Sequence, residues 1–184
     1  MKTSDKSILS IFLIFIISYI SIITYIDFTI EYPNSSLDEP DFFLDTVTVE
    51  KFIDTDFELL FDDMTDLENY PLMIPNYIVS VDITKKIENV EYATITTSIV
   101  KKSFNVKHTI IPYQSHKIEV LDGDAKETIV EQIFEKQNNR IYIKTNADIR
   151  LEGFLKVIGF FSSSQFSKIG GLLIDNMIQY SIST

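Results

Sequence analysis

Residues 77–149 read YIVSVDITKKIENVEYATITTSIVKKSFNVKHTIIPYQSHKIEVLDGDAKETIVEQIFEKQNNRIYIKTNADI, and their period decides the fold. In Tyr77–Lys86 the apolar Val79, Val81 and Ile83 alternate with Ser80 and Asp82, the period of a strand with one buried face. Val90–Lys101, Phe104–Pro112, Lys117–Leu121, Glu127–Glu135 and Arg140–Ile149 are predicted as further strands, rich in β-branched residues. Glu88-Asn89, Lys102-Ser103, Gln114-Ser115, Asp122-Gly123-Asp124 and Gln137-Asn138-Asn139 are the turns between them. Connections this short join antiparallel neighbours, so the stretch predicts a meander of hairpins.

Downstream the period changes. Ser162-Ser163-Ser164 supplies candidate N-caps, and Phe166, Ile169, Leu173, Met177 and Tyr180 then recur at helical spacing. A helix over about Ser163–Ser181 follows. Gly170-Gly171 lies in its middle, where each glycine costs about 1 kcal/mol relative to alanine. Either the helix packs closely on the sheet there, or the pair leaves room for a ligand. Upstream, Thr46–Phe52 reads as a strand. Asp54-Thr55-Asp56 offers an N-cap for a short helix over Phe57–Met64, with Leu60, Phe61 and Met64 on one face. A second short helix over Asp66–Tyr70 is expected to stop at Pro71. The soluble part is thus α+β, with six or seven antiparallel strands, two short helices and one long helix.

Ahead of it lies Ile8–Ile26, ILSIFLIFIISYISIITYI, an uncharged run of 19 residues. As a helix it extends about 28 Å, close to the ~30 Å hydrocarbon core of a bilayer. No small-x-small pair marks a cleavage site near its end, so a retained single-pass anchor is expected rather than a signal peptide. Lys2 and Lys6 precede the run and Asp27 and Glu31 follow it. The positive-inside rule then puts the N-terminus in the cytoplasm and the domain outside. Residues 27–45 read as an acidic linker with turn chemistry at Pro33 and Pro40, and 46–184 as one domain. Asn34-Ser35-Ser36 is an N-x-S sequon in that linker. The net charge of −11 is uneven: residues 27–69 carry 14 acids and one lysine. No polybasic patch for nucleic acid is present, and there is no cysteine for a disulfide or a thiolate metal site.

Few residues offer chemistry. His108, in Phe104-x-Val106-x-His108-x-Ile110, falls on an apolar face, as a satisfied core residue or as a ligand or base. His116, beside Lys117 at a strand edge, is expected to be exposed. Two histidines without a third partner at ligand spacing predict no metal, and no cofactor motif is present. Asp82, Glu119, Glu131 and Glu135 alternate with apolar residues and belong to the solvated face. Tyr70, Tyr92, Tyr113 and Tyr142 carry hydroxyls that could meet a ligand.

Phe61–Pro75 (FDDMTDLENYPLMIP) and Lys107–Asp124 (KHTIIPYQSHKIEVLDGD), within the order strand, short helices, strands and long helix, resemble the START-like superfamily. The resemblance covers about Thr46–Ile182 and is nearest to the polyketide cyclase/dehydrase and coenzyme-Q-binding branch. It implies a helix-grip fold, a curved sheet around the C-terminal helix, and binding of hydrophobic small molecules. It also implies a cavity mouth at the loop before the last helix, which carries Phe154, Phe160 and Phe161.

Geometry points the same way. A helix is about 10 Å across, whereas six strands spaced ~4.8 Å apart span nearly 30 Å. An apolar cavity is therefore expected between Phe104, Val106, His108 and Ile110 on the sheet, Phe154 and Phe160 at the mouth, and Phe166, Ile169, Gly170, Leu173 and Met177 on the helix. Tyr70 stands near it. The function expected is membrane-tethered binding or transport of an apolar small molecule, of isoprenoid-lipid or quinone type. A cyclase or dehydratase using His108 or a tyrosine is the alternative, and a ligand-free interaction domain a third.

Overall fold

The computed structural model describes residues 42–43, 46–98, 101–138, 140–153, 155 and 162–183. The expected span Ile8–Ile26, and Phe154, Phe160 and Phe161, lie outside them. Among the described residues no helix is long and apolar enough to cross a membrane.

Strand β1 (Phe42–Phe43) opens the fold and pairs with β9 (Arg150–Leu151), so paired structure begins inside the stretch read as linker. Strand β2 (Val47–Ile53) is followed by helix α1 (Phe57–Thr65), capped by Asp56, whose carboxylate accepts from the Leu59 amide at 2.9 Å. A 3-10 turn over Leu67–Asn69 leads into the short helix α2 (Tyr70–Met73). Pro71 was expected to end a helix and instead sits in the first turn of one. There its missing N–H is not needed and its fixed φ suits the helix.

Strands β3 (Ile78–Ile87), β4 (Val90–Thr97), β5 (Ser103–Ile111), β6 (Ser115–Val120), β7 (Ile129–Gln137) and β8 (Arg140–Asp148) form the meander. With β2 they make a seven-stranded sheet of order β2-β8-β7-β6-β5-β4-β3, antiparallel throughout. Two register shifts, at Ile78/Ser80 and Ile83/Lys85, break the expected alternation. The β3–β4 register shifts between Ile78 and Ser80, and Val79, expected on the inner face, is 58% exposed. A bulge adds one residue to one strand, so the side chains before and after it exchange faces. The turn expected at Asp122-Gly123-Asp124 is a 3-10 turn over Gly123–Ala125.

Helix α3 (Ser163–Ser183) closes the chain. Ser162 caps it reciprocally: its Oγ accepts from the Gln165 amide at 3.3 Å, and its own amide donates to Gln165 Oε1 at 2.8 Å. α3 packs on β2, α1 and α2. Its buried residues are Ile174, Met177, Ile178 and Ser181, a stripe rotated from the expected one, and Ile169 is 38% exposed. The reason is Gly170. A Cβ there would stand 3.3 Å from Val49 Cγ2, so the helix backbone lies close on β2 at that point. Gly171 faces open space. Of the two readings of the glycine pair, close packing holds for Gly170.

The inner face of the sheet carries two apolar clusters. The larger joins Leu60, Phe61 and Met64 of α1, Tyr70 and Met73 of α2, Val106, Phe134 and Ile143 of the strands, and Ile174, Met177 and Ile178 of α3. The smaller joins Phe104, Leu151 and Leu155, with Phe166, Ala125 and Ile149 packed on it. Half-buried Val120 packs on both.

Candidate functional site

A row of buried polar side chains crosses this inner face. Glu91, His108, His116, Gln132 and Thr145 come from five neighbouring strands, β4 to β8 in sheet order, and all are buried. Register places them. Glu91 stands opposite His108, Gln132 opposite His116, and Thr145 opposite Gln132. Between β5 and β6 the row steps diagonally, since His108 is opposite Ile118 and His116 opposite Ile110.

The members are hydrogen-bonded end to end. Glu91 Oε2 lies 3.3 Å from His108 Nδ1. His108 Nε2 lies 3.0 Å from His116 Nδ1, with the rings edge-on at 89°. His116 Nε2 is 2.6 Å from Gln132 Oε1, and Gln132 Nε2 donates to Thr145 Oγ1 at 3.0 Å. At the first end the Lys86 ammonium of β3 donates to the other Glu91 oxygen. Lys86 and Glu91 open on a cleft of about 260 Å³, also lined by Asp62, Asp66, Glu68 and Ile110.

Enclosure sets the charges. Burial holds both imidazoles below their ordinary values. For His108 the Glu91 carboxylate opposes that only in part, while for His116 the neighbouring ring adds to it and the value falls to about 3. Burial pushes Glu91 up, but bonds from Lys86 and His108 outweigh it and hold the carboxyl below its ordinary value. The same partnership raises the Lys86 ammonium.

The expected site residues divide between these features. His108 is in the row, and Ile110 lines the cleft beside Glu91. Val106, Met177, Tyr70 and partly buried Leu173 belong to the larger cluster, Phe104 and Phe166 to the smaller. The Tyr70 hydroxyl is already used, donating to the Met64 carbonyl at 3.1 Å, and burial raises its pKa far above ordinary. Tyr113 takes a left-handed backbone (φ 57°) in the β5–β6 turn, and its half-exposed ring packs on Phe57 and Phe61.

His116 corrects the sequence reading most sharply. Expected to be exposed, it is 2% exposed. β6 begins at Ser115 rather than Lys117, so His116, Ile118 and Val120 share the inner face. That alternation is visible in the sequence. Glu91 and Gln132 share that alternation, with Ala93 and Ile95 and with Val130 and Phe134, but the side chains they meet come from other strands. Among the described residues no group of His, Asp and Glu is placed to hold a metal.

A second, larger cleft of about 580 Å³ lies outside, between β2 and α3, lined by Glu50, Lys51, Lys168, Gly171 and Asp175 among others. Lys51 bridges to Asp175 across it at 2.7 Å.

No family model matches the chain, and no curated protein sequence matches it. Solved structures do match. The Zhui aromatase/cyclase from Streptomyces superposes with a TM-score of 0.58 at 8% identity, covering 74% of this chain and 93% of that one. A START superfamily protein from Mycobacterium smegmatis gives 0.53 at 12% identity, over 73% and 92% of the two chains. A major latex-like protein from Panax ginseng gives 0.52 at 12%, over 74% and 95%. At these identities the likeness concerns the fold. The seven-stranded antiparallel sheet and long C-terminal helix of this chain are those of the START and polyketide-cyclase-like helix-grip proteins.

Proposed function

We propose that the domain binds an apolar small molecule, of isoprenoid-lipid or quinone type, against the inner face of its sheet. The observation that carries this reading is the division of the inner face into two apolar clusters that meet at Val120. One is packed by α1, α2 and α3; the other gathers around Phe104 and Phe166. A ligand entering between them would bury apolar surface at about 25 cal/mol per Å². Roughly 300 Å² would supply about 7 kcal/mol before the costs of association.

The test is to fill the junction. Val120→Trp is expected to reduce uptake of an environment-sensitive apolar probe by the full chain at least tenfold, with the circular dichroism unchanged. Equal uptake by both proteins, or none by either, would remove the reading. An acid–base reaction on the bound molecule, as in a cyclase or dehydratase, is the second reading. It is favoured by Glu91, which lines a cleft and is backed by an imidazole. Recovery of the bound compound altered rather than intact distinguishes the two.

The reading includes tethering. Ile8–Ile26 would span the membrane once, with the N-terminus cytoplasmic and the domain outside, holding the binding site near an apolar ligand and raising its effective concentration. Alkaline carbonate washing should leave the whole chain in the membrane, and protease added to intact cells should remove the domain. Release of a chain starting near Asp27 would dismiss the anchor, and protection from protease would reverse the orientation.

A further inference from the structure

The polar row has two complete hydrogen-bond patterns, and they differ by one proton. The Gln132 amide stands between His116 Nε2 at 2.6 Å and Thr145 Oγ1 at 3.0 Å. Its oxygen and NH2 ends have nearly the same shape, so either can face the histidine.

With the oxygen toward His116, as in the structure, His116 donates from Nε2. Its Nδ1 then accepts from His108 Nε2–H. His108 Nδ1 is left facing the Glu91 carboxylate at 3.3 Å, an attractive contact only when one more proton lies between them. With the NH2 toward His116, every bond reverses. Gln132 donates to His116 Nε2, His116 Nδ1–H to His108 Nε2, and His108 Nδ1–H to the carboxylate, while the Thr145 hydroxyl donates to the amide oxygen. That pattern is complete with both rings neutral.

We propose that the row is a one-proton switch: when the His108–Glu91 pair takes a proton from solvent, His116 changes tautomer and the Gln132 amide turns over. The geometry limits uptake to one proton, since two imidazolium rings 3.0 Å apart would repel each other in a buried site. It also selects the pair. His108 faces Glu91 of β4 and feels Asp66, which caps the 3-10 turn, and both favour its charged form, against Lys86 of β3. His116 bonds to the neutral Gln132 and the other ring and packs on Phe134, with no carboxylate among the described residues facing it. Asp62 and Glu68 share the cleft at the Glu91 end, where the proton enters.

The signal crosses from β5 to β8 by reorientation, because an amide N–H does not pass a proton on. Its end point is Thr145, opposite Val49, the residue on which Gly170 of α3 rests. Proton uptake at the cleft thus changes a hydroxyl from donor to acceptor beneath the C-terminal helix.

Imidazole nitrogen NMR on the 15N-labelled full chain in detergent, titrated from about pH 8 to 4, reads this directly. His116 is expected to pass from the Nδ1–H to the Nε2–H tautomer at the same midpoint at which His108 becomes doubly protonated. One His116 tautomer throughout, different midpoints, or unfolding with both rings still neutral overturns the proposal. Gln132→Glu supplies a second reading. An ionised carboxylate only accepts, so His116 should stay Nε2–H at every pH and the His108 midpoint should rise by more than one unit. A new carboxylate raises any nearby histidine, so the His116 tautomer is the deciding signal. A folded variant in which that tautomer still changes with pH overturns the switch, and the wild-type titration decides alone if the variant does not fold.

Discussion

Leu60→Ala is expected to lower the unfolding free energy of the full chain by about 3 kcal/mol, within the 2–5 kcal/mol range of fully buried leucines. Leu60 has no exposed surface and sits with Phe61 and Met64 on the face of α1 that meets the sheet and α3. Removing its three terminal carbons loses their transfer energy and leaves a void in a cluster built from three helices and the sheet. Leu172, 57% exposed on α3, is the control, and its alanine variant should change stability by under about 0.5 kcal/mol. Denaturant unfolding of both in the same detergent makes the comparison. The contrast also bears on function. If the α1 end of the domain were the floor of an open ligand space, Leu60→Ala would cost under about 1 kcal/mol and would enlarge probe uptake. A large cost with unchanged uptake assigns that end to structure and leaves ligand binding to the junction at Val120 and the Phe104 cluster.

Acid should destabilise this domain from about pH 6.5 downward, through the buried neutral ring of His116. In the unfolded chain His116 takes a proton near pH 6.5, whereas in the folded chain it does so only near about 3. Between those values the unfolded state holds more protons. The stability due to the neutral ring is therefore fully present above about pH 6.5 and is lost as the pH falls, by about 1.4 kcal/mol per unit. From pH 6 to pH 4 that is about 2–3 kcal/mol, a large share of the 5–15 kcal/mol typical of a domain. His108, also lowered, acts in the same direction until the pair with Glu91 takes up its proton. Glu91, held below its ordinary value of 4.5 by Lys86 and His108, adds a further loss as the pH falls below that value. Guanidinium unfolding at a series of pH values reads the slope. His116→Gln keeps a donor and an acceptor at the position but does not titrate, so it should flatten the slope between pH 6 and 4. An unchanged slope in a folded variant would mean that His116 is protonated in the native state.

The two predictions meet at the point where the sequence reading stopped. Strand number, direction and order in β3–β8 follow from residues next to one another: a two-residue apolar period, with a new strand every 11 to 14 residues after a turn rich in Asn, Asp, Gly or Ser. The helix starts at Asp56 and Ser162 are equally local, since a cap needs only a side chain and an amide three residues on. The elements that differ from expectation are those where a bulge changes the phase, a strand starts earlier than its turn, or a proline opens a helix. The bulge at Val79 moved a valine from inside to outside, and two more residues at the start of β6 moved His116 from outside to inside. Pro71 permits the first turn of a helix as readily as it ends one, and only the chain after it decides which.

The sequence by itself determined the class of the fold, the antiparallel meander, the long closing helix and the presence of His108 on an apolar face, because each of these is written in short-range periodicity and capping. Tertiary structure alone decided what that face contains. The link from Glu91 through His108, His116 and Gln132 to Thr145 joins five strands, and each bond depends on the register between two of them. Register is set by the packing of whole faces, so no one strand predicts which polar residue its neighbour will bring opposite. The same holds for Gly170, whose role came from Val49 on a strand at the far end of the domain sequence. Helical spacing could mark the glycine but not the side chain it would meet.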